Sequence, residues 1–387
     1  MTAESLLFSL LRTVVCEKEG DYSITDLDDP ALLEQLYKLA SRHDLAHLVG
    51  YALEKMELPE SASYVKFQKA KQQAIFRYLR LDHEVGRIGR VFEETQIPFI
   101  PLKGAVLRDN YPEPWMRTSC DVDVLVPKHL LERAAQALTE QLNYRCEGRG
   151  DHDLSLFSPG GIHLDLHYTA VDKERFAKAQ GVLGRIWQDA EKTETAGFRK
   201  VLTDEMFYFY HIAHMAKHVE NGGCGIRTLL DLWILNHRVA FDREKRNQLL
   251  REGQLLAFAA AAETLSEIWF SGAETDPMSG RFAEYILHGG TYGILENQIR
   301  VYQSKLGGKT GYALRKIFLP YDILKYHYPV LQKYRILTPV FEVVRWLKLL
   351  FKGGVRRSIR ELQMNANISE MNQTETHEMM CYLDLLK

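Results

Sequence analysis

Up to residue 95 the apolar positions recur at helical spacing. Leu32, Leu33, Leu36, Leu39 and Ala40 make one stripe, and Leu45, Leu48, Val49, Ala52 and Leu53 repeat it. Asp29-Pro30 predicts the start of the first stripe, a capping carboxylate followed by proline where a missing N–H costs nothing. A longer helix is predicted from Tyr64 to Thr95, with Phe67, Ala74, Leu81, Ile88 and Phe92 among its apolar side. Its other face carries Lys66, Lys69, Lys71, Arg77, Arg80, Arg87 and Arg90. That face reads either as solvated surface or as a basic wall beside a phosphate-bearing ligand.

At Ile97 the texture changes. Ile97-Pro-Phe-Ile-Pro101 is too rich in proline for a helix and short enough for a buried strand. Leu102 to Leu107 reads as a glycine turn into a short helix. Asp121-Val-Asp-Val-Leu-Val126 alternates carboxylate with aliphatic and stops at Pro127, which predicts a strand with one acidic and one apolar face. An amphipathic helix follows over His129 to Leu142. Then Asp153 to Ser158 and Ile162 to Tyr168 flank Pro159-Gly160-Gly161 as a β-hairpin. From Asp204 the pattern is helical again. Asp204 to Val219 and Gly225 to Arg238 are joined by a tight link, and further helices are expected over 243–270, 277–288, 310–318 and Val340 to Phe351. The fold class expected is α+β: a helical segment over 1–95, a mixed α/β unit over 96–172, a helical domain over 173–361, and a loosely held polar tail over 362–387.

Composition narrows the class without naming a function. The 387 residues are 46% hydrophobic and 26% charged, the balance of a globular chain, and no apolar run approaches the roughly 20 residues that span a bilayer. Leu6 to Val15 is apolar but is preceded by Glu4, interrupted by Arg12 and followed by Glu17, so it reads as a helix and not a signal peptide. A formal net charge of −2 gives no global basic field for nucleic acid. Five scattered cysteines fit neither a disulfide framework nor a metal finger, so a cytoplasmic setting is expected.

The chemistry centres on Asp121 and Asp123. Residues i and i+2 of a strand project to one side with Cα atoms about 6.5 Å apart. Two carboxylates held there repel unless a cation lies between them, and Mg²⁺ is commonly held by one or two carboxylates together with substrate phosphates. Asp165, in His163-Leu-Asp-Leu-His167, alternates in the same way and supplies a third acid from another strand. Three such acids can clamp two metals for in-line phosphoryl displacement; the bland reading is surface acids on an exposed sheet face. Lys103-Gly104 lies upstream on a turn where backbone N–H groups can hold phosphate. Asp151 and Asp153 are rival third carboxylates or loop residues. His163 and His167 either extend the metal site or serve as hydrogen-bond partners.

In this order the residues resemble the nucleotidyltransferase superfamily typified by DNA polymerase β and the aminoglycoside nucleotidyltransferases. The matching positions are Leu102-Lys103-Gly104, Asp121-Val122-Asp123 and Asp165. More closely, the chain resembles a bacterial group of largely uncharacterised nucleotidyltransferase-like proteins, through Leu102-Lys-Gly-Ala, Arg117 four residues before Asp121, Asp165-Leu-His167, His211, Lys217-His218, Gly225, Arg227 and Asp231. The resemblance implies Mg²⁺ or Mn²⁺ on Asp121, Asp123 and Asp165, and an NTP donor held by Lys103, Gly104, Arg117, Lys217 and His218. The acceptor would be a small molecule, protein or RNA hydroxyl. Lys103 departs from the superfamily, standing where its first turn glycine would be. It either substitutes a point charge for backbone contacts or marks a turn that no longer binds triphosphate. A non-catalytic nucleotide-binding or partner-binding module with the same fold is therefore the alternative to an enzyme.

Several pairings remain open between structure and function. Arg117 is expected either to bridge to Asp121 or to bind phosphate, and Arg227 to pair with Asp231 across one helical turn. His211, His214 and His218 share a helix face; they either hold zinc or pack towards the α/β unit, with Lys217 or His218 reaching the nucleotide. Arg345, Lys348 and Lys352 precede Arg356, Arg357 and Arg360. They mark a membrane-surface or RNA-contacting element, or a basic stripe on a helix docked by Trp346, Leu347 and Leu350.

Overall fold

A computed structural model describes residues 1–18, 20–56, 62–150, 152–170, 177–193, 197–351 and 354–386. Five strands form a mixed sheet: β1 (Ile100–Pro101), β2 (Asp121–Leu125), β3 (Arg145–Arg149), β4 (Asp153–Phe157) and β5 (His163–His167), in the order β1-β2-β5-β4-β3. Only the β2–β5 pair is parallel; the rest are antiparallel. A two-stranded ribbon, β6 (Ala190–Lys192) and β7 (Lys200–Leu202), runs against β1, where Lys200 N–H donates to the Phe99 carbonyl at 2.8 Å. The α+β class is thus as the alternation patterns indicated, with helices before and after the sheet.

Alternation decides which way the sheet faces. Val122, Val124, Leu154, Leu156, Leu164 and Leu166 are all buried on one side, against Leu81, Ile88 and Phe92 of the helix Ala62–Glu94 and Leu131 and Leu138 of the helix Leu131–Leu142. The other side carries Asp121, Asp123, His163, Asp165, His167, Ser155 and Asp153 and turns away from that core. A larger, mostly helical core gathers Leu6 to Leu11, Leu33, Leu36 and Leu48 with Phe209, Ile212, Leu229, Trp233 and Phe258. The polar sheet face therefore lies between two apolar bodies.

The elements differ from expectation in places with local causes. The stretch 243–270 is two helices, Arg243–Glu252 and Leu256–Ser271, broken where Gln254 takes φ 56°. The segment expected as a loosely held tail is mostly helix. Glu370–Tyr382 is capped by Ser369 and docked through Met379 and Met380, and Leu383 and Leu385 beyond it are also buried. Its polar composition hides a short apolar face that a helix needs only a few residues to make.

Candidate active site

Register brings the carboxylates together. Asp121 pairs across the sheet with His163, and Asp123 with Asp165. On the far side of β5, Asp165 faces Ser155 and His167 faces Asp153. Cross-strand partners share a face, so all three predicted acids and both histidines project together. Asp123 is 4% exposed, whereas Asp121 and Asp165 are half-buried.

Asp123 is the anchor. Its Oδ1 accepts from Lys103 Nζ at 2.6 Å and is 2.7 Å from His167 Nε2. Burial alone would push this carboxyl up, but the Lys103 ammonium and the His167 bond hold it well below the usual carboxylate range. Lys103 shifts the other way: burial works against its charge, and the Asp123 carboxylate more than offsets it. Its backbone sits at φ 47°, ψ −119°, a conformation that glycine adopts readily and other residues rarely. The lysine that replaces a glycine in the sequence pattern therefore keeps a glycine-like turn and spends its side chain on Asp123.

Gly104 has a steric reason of its own. A Cβ there would lie 1.9 Å from Ser119 Oγ and 3.2 Å from Ser119 Cβ. The helix it opens, Gly104–Leu107, has four residues, and its Ala105, Val106 and Leu107 N–H groups donate to the Leu102 and Lys103 carbonyls. Three N–H groups of the turn are therefore satisfied by carbonyls of the turn itself.

Asp165 is raised by burial first, with His163 opposing and Asp123 reinforcing the shift. His163 Nε2 is 3.1 Å from Asp165 Oδ1 and 2.6 Å from Ser155 Oγ. Asp121, His163 and Asp165 each present a ligand atom within 4.8 Å of the others, and so do Asp123, Asp165 and His167. His167 Nδ1 is buried with no hydrogen-bond partner among the described residues. Hard carboxylate oxygens next to imidazole suit a divalent cation of the Mg²⁺ or Mn²⁺ kind, so the donor set fits the group the resemblance implies. Asp153, the rival acid, lies at the end of the same face beside His152, at 3.3 Å; Asp151 lies outside the described residues.

The helix Asp204–Glu220 closes over this face. Tyr210 is buried, and its phenol is raised by burial and by Asp123, with Lys103 pulling against them. His218 is pushed down to about 4 by burial and then by Lys103, and His214 is lowered for the same reasons. The three histidines do not gather on a metal. His211 Nε2 is 3.1 Å from the Thr228 carbonyl, while His214 and His218 bond each other at 3.3 Å. Lys217 lies near enough to bias both His214 and His218.

Two long-range pairs brace the site in place of the local ones expected. Arg117 Nε donates to Asp231 Oδ1 at 2.7 Å and Tyr111 Oη to the same oxygen at 2.7 Å, so Arg117 does not bridge to Asp121. Arg227 pairs with Asp44 and also reaches the Thr118 carbonyl and hydroxyl at 3.1 Å, so it does not pair with Asp231. Arg117 is 9% exposed with its guanidinium engaged, which makes it a brace between the sheet and the helix Ile226–Arg238. The basic face of the long helix is largely spoken for: Lys66 pairs with Glu34, Lys71 with Glu54 and Arg87 with Glu84. Arg80 reaches the Gly160 carbonyl, and Arg77, 3.9 Å from Cys120 Sγ, lies beside the start of β2. Tyr111, Ser119, Tyr210 and Asp44 escape a reading of motifs because each acts through a contact distant in sequence.

Asp121 and Asp123 on one strand, Asp165 on its parallel neighbour and the helix over them thus form one polar cluster. Residues 29–271 match a family described as uncharacterised nucleotidyltransferase, and the chain belongs to that family. The match takes in the whole five-stranded sheet, the β6–β7 ribbon and the helices through Ser271. No curated protein and no solved structure matches the chain. Among the described residues no helix is long and apolar enough to cross a membrane.

Proposed function

We propose that the chain transfers a nucleoside monophosphate from an NTP to a hydroxyl acceptor and releases pyrophosphate. The observation that carries this reading is the register itself, which sets Asp123 beside Asp165 and Asp121 beside His163 on one polar face. Asp121, Asp123 and Asp165 would hold Mg²⁺ or Mn²⁺, whose charge would draw in the triphosphate and ease loss of pyrophosphate. The acceptor oxygen forms a bond to the α-phosphorus, the α–β bridging P–O bond breaks, and the hydroxyl proton passes to Asp165. Lys103 keeps Asp123 ionised and aimed, and Asp123 in turn fixes His167. Lys217 and His218, on the covering helix, are the groups assigned to the nucleotide; Gly104 and Arg117 keep the turn and the brace beneath it. In this reading residues 96–172 are the transfer unit, 1–95 and 173–361 its helical surroundings, and the cytoplasm its NTP supply. The acceptor is a hydroxyl on a small molecule, protein or RNA.

The test is pyrophosphate release with each NTP in Mg²⁺ or Mn²⁺. Asp121→Asn should abolish it while leaving the folded state intact by circular dichroism. One observation favours a second reading. Lys103 Nζ already sits 2.6 Å from Asp123, placing a fixed cation against a carboxylate the transfer reaction would use. A nucleotide-binding module without transfer would then bind NTP, release no pyrophosphate, and lose binding on the same substitution.

A further inference from the structure

The helix Thr338–Phe351 is not the docked element its sequence suggests. Its inner side is well held. Glu342 accepts from the Leu319 N–H at 2.6 Å and from Arg345 Nε at 2.9 Å, Trp346 Nε1 donates to the Ile317 carbonyl at 3.0 Å, and the Phe341 ring packs on Tyr328. Leu347 and Leu350, expected to dock it, face the other way. With Val340, Val343, Phe351 and the preceding Ile336 they form an apolar stripe at spacings of three and four. Ile336 and Phe351 are each 87% exposed and Leu350 is 62% exposed. A stripe of this kind on a folded surface marks a place where something apolar is met.

Charge identifies what that is. Residues 333–360 hold eight Lys or Arg and one acid, Glu342, in a chain whose net charge is −2. Glu342 is buried and committed to Arg345 and the Leu319 N–H. Lys348 borders the stripe, and the exposed Arg356, Arg357 and Arg360 follow it directly. A second copy of this chain would bring one basic segment against another across an isologous contact. An apolar face ringed by cations instead suits a bilayer carrying anionic headgroups, the face entering the acyl boundary and the cations staying at the phosphates. We propose that this helix seats the protein on an anionic membrane surface, lying on it without crossing it. The sheet's acids take no part, so the proposal stands apart from the transfer reading.

The experiment is flotation of the full chain with vesicles of phosphatidylcholine alone and of phosphatidylcholine mixed with phosphatidylglycerol. Binding is expected to the mixed vesicles only, and to weaken with salt. Leu347→Asp/Leu350→Asp should lower it by at least roughly tenfold, and Arg356→Gln/Arg357→Gln/Arg360→Gln should lower it by a similar factor. All five positions are solvent-facing, so unfolding should be unaffected; a thermal melt of each variant checks this. Asp121→Asn should bind vesicles as the wild type does. Three results would overturn the proposal: no flotation with mixed vesicles, flotation indifferent to Leu347→Asp/Leu350→Asp, or a wild-type dimer that the double aspartate variant converts to monomer without any vesicle binding.

Discussion

Lys103 Nζ lies 2.6 Å from Asp123 Oδ1, and the backbone that delivers it is one in which lysine is strained. The two facts together explain the residue. A non-glycine at positive φ costs about 1–3 kcal/mol, while removing one partner of a buried ion pair costs about 3–5 kcal/mol. Stripping Asp123 of its cation would thus cost more than the strain the turn bears. Lys103→Ala should therefore destabilise by about 3 kcal/mol, since it keeps the strain and strips Asp123 of its cation. Lys103→Gly should be more stable than Lys103→Ala by about 1 kcal/mol, because glycine relieves the turn. Urea titrations of the two variants measure the difference. Equal midpoints would mean that the turn carries no strain.

Gly104 should be steric in origin. Gly104→Ala places a methyl 1.9 Å from Ser119 Oγ, and overpacking of this kind costs about 1–3 kcal/mol. Ser119→Ala in the same chain should recover most of that loss by removing the hydroxyl. Melting curves of the single and double variants decide it; a Gly104→Ala chain as stable as wild type contradicts the steric role.

Asp231 carries Arg117 and Tyr111 on one oxygen while itself fully buried. Asp231→Ala should cost about 3–5 kcal/mol by leaving the Arg117 guanidinium unpaired. Tyr111→Phe should cost less, about 1.5–3 kcal/mol for a single bond to a charged group. Denaturant unfolding that ranks the two the other way would contradict the brace.

Acid should weaken the helical core through its buried histidines, His43 and His47 among them. Burial pushes both His43 and His47 down from 6.5 to about 4. His43 Nδ1 accepts from the Ile226 N–H at 3.2 Å, so the folded state needs that nitrogen bare. Between pH 6.5 and 4 the unfolded chain binds protons that the folded chain refuses, so stability is complete above 6.5 and falls as pH falls. Each histidine contributes at most about 1.4 kcal/mol per pH unit in that window. His47→Gln keeps a donor for the Met116 carbonyl, which His47 Nε2 meets at 2.8 Å. It should flatten the dependence of stability on pH between 6.5 and 4. An unchanged slope would remove His47 from the account.

The acidic strand is legible because period-two alternation puts Asp121 and Asp123 on one face; that Asp165 joins them depends on the β2–β5 register, which the sequence does not print. The glycine turn was legible only in outline. That Lys103 would turn onto Asp123 depends on β1 lying beside β2, which the sequence does not print. Arg117 and Arg227 mislead for one reason: nearness in sequence suggests Asp121 and Asp231, whereas their partners, Asp231 on a helix and Asp44 in a turn between helices, lie 114 and 183 residues away. β3 escaped notice because Arg145–Arg149 is exposed throughout and shows no alternation. The outward turn of Leu347 and Leu350 could not be read either, since an amphipathic pattern says that two faces differ and not which one is covered.

The most direct test of the central claim is thermal stabilisation by each NTP with and without Mg²⁺ or Mn²⁺, in the wild type and in Asp121→Asn/Asp165→Asn. That double substitution spares Asp123 and its bonds to Lys103 and His167, so the fold should survive it. The account predicts a metal-dependent rise in melting temperature with at least one NTP, absent from the double variant. No rise with any NTP, or an equal rise in the variant, would contradict a nucleotide site on this face of the sheet.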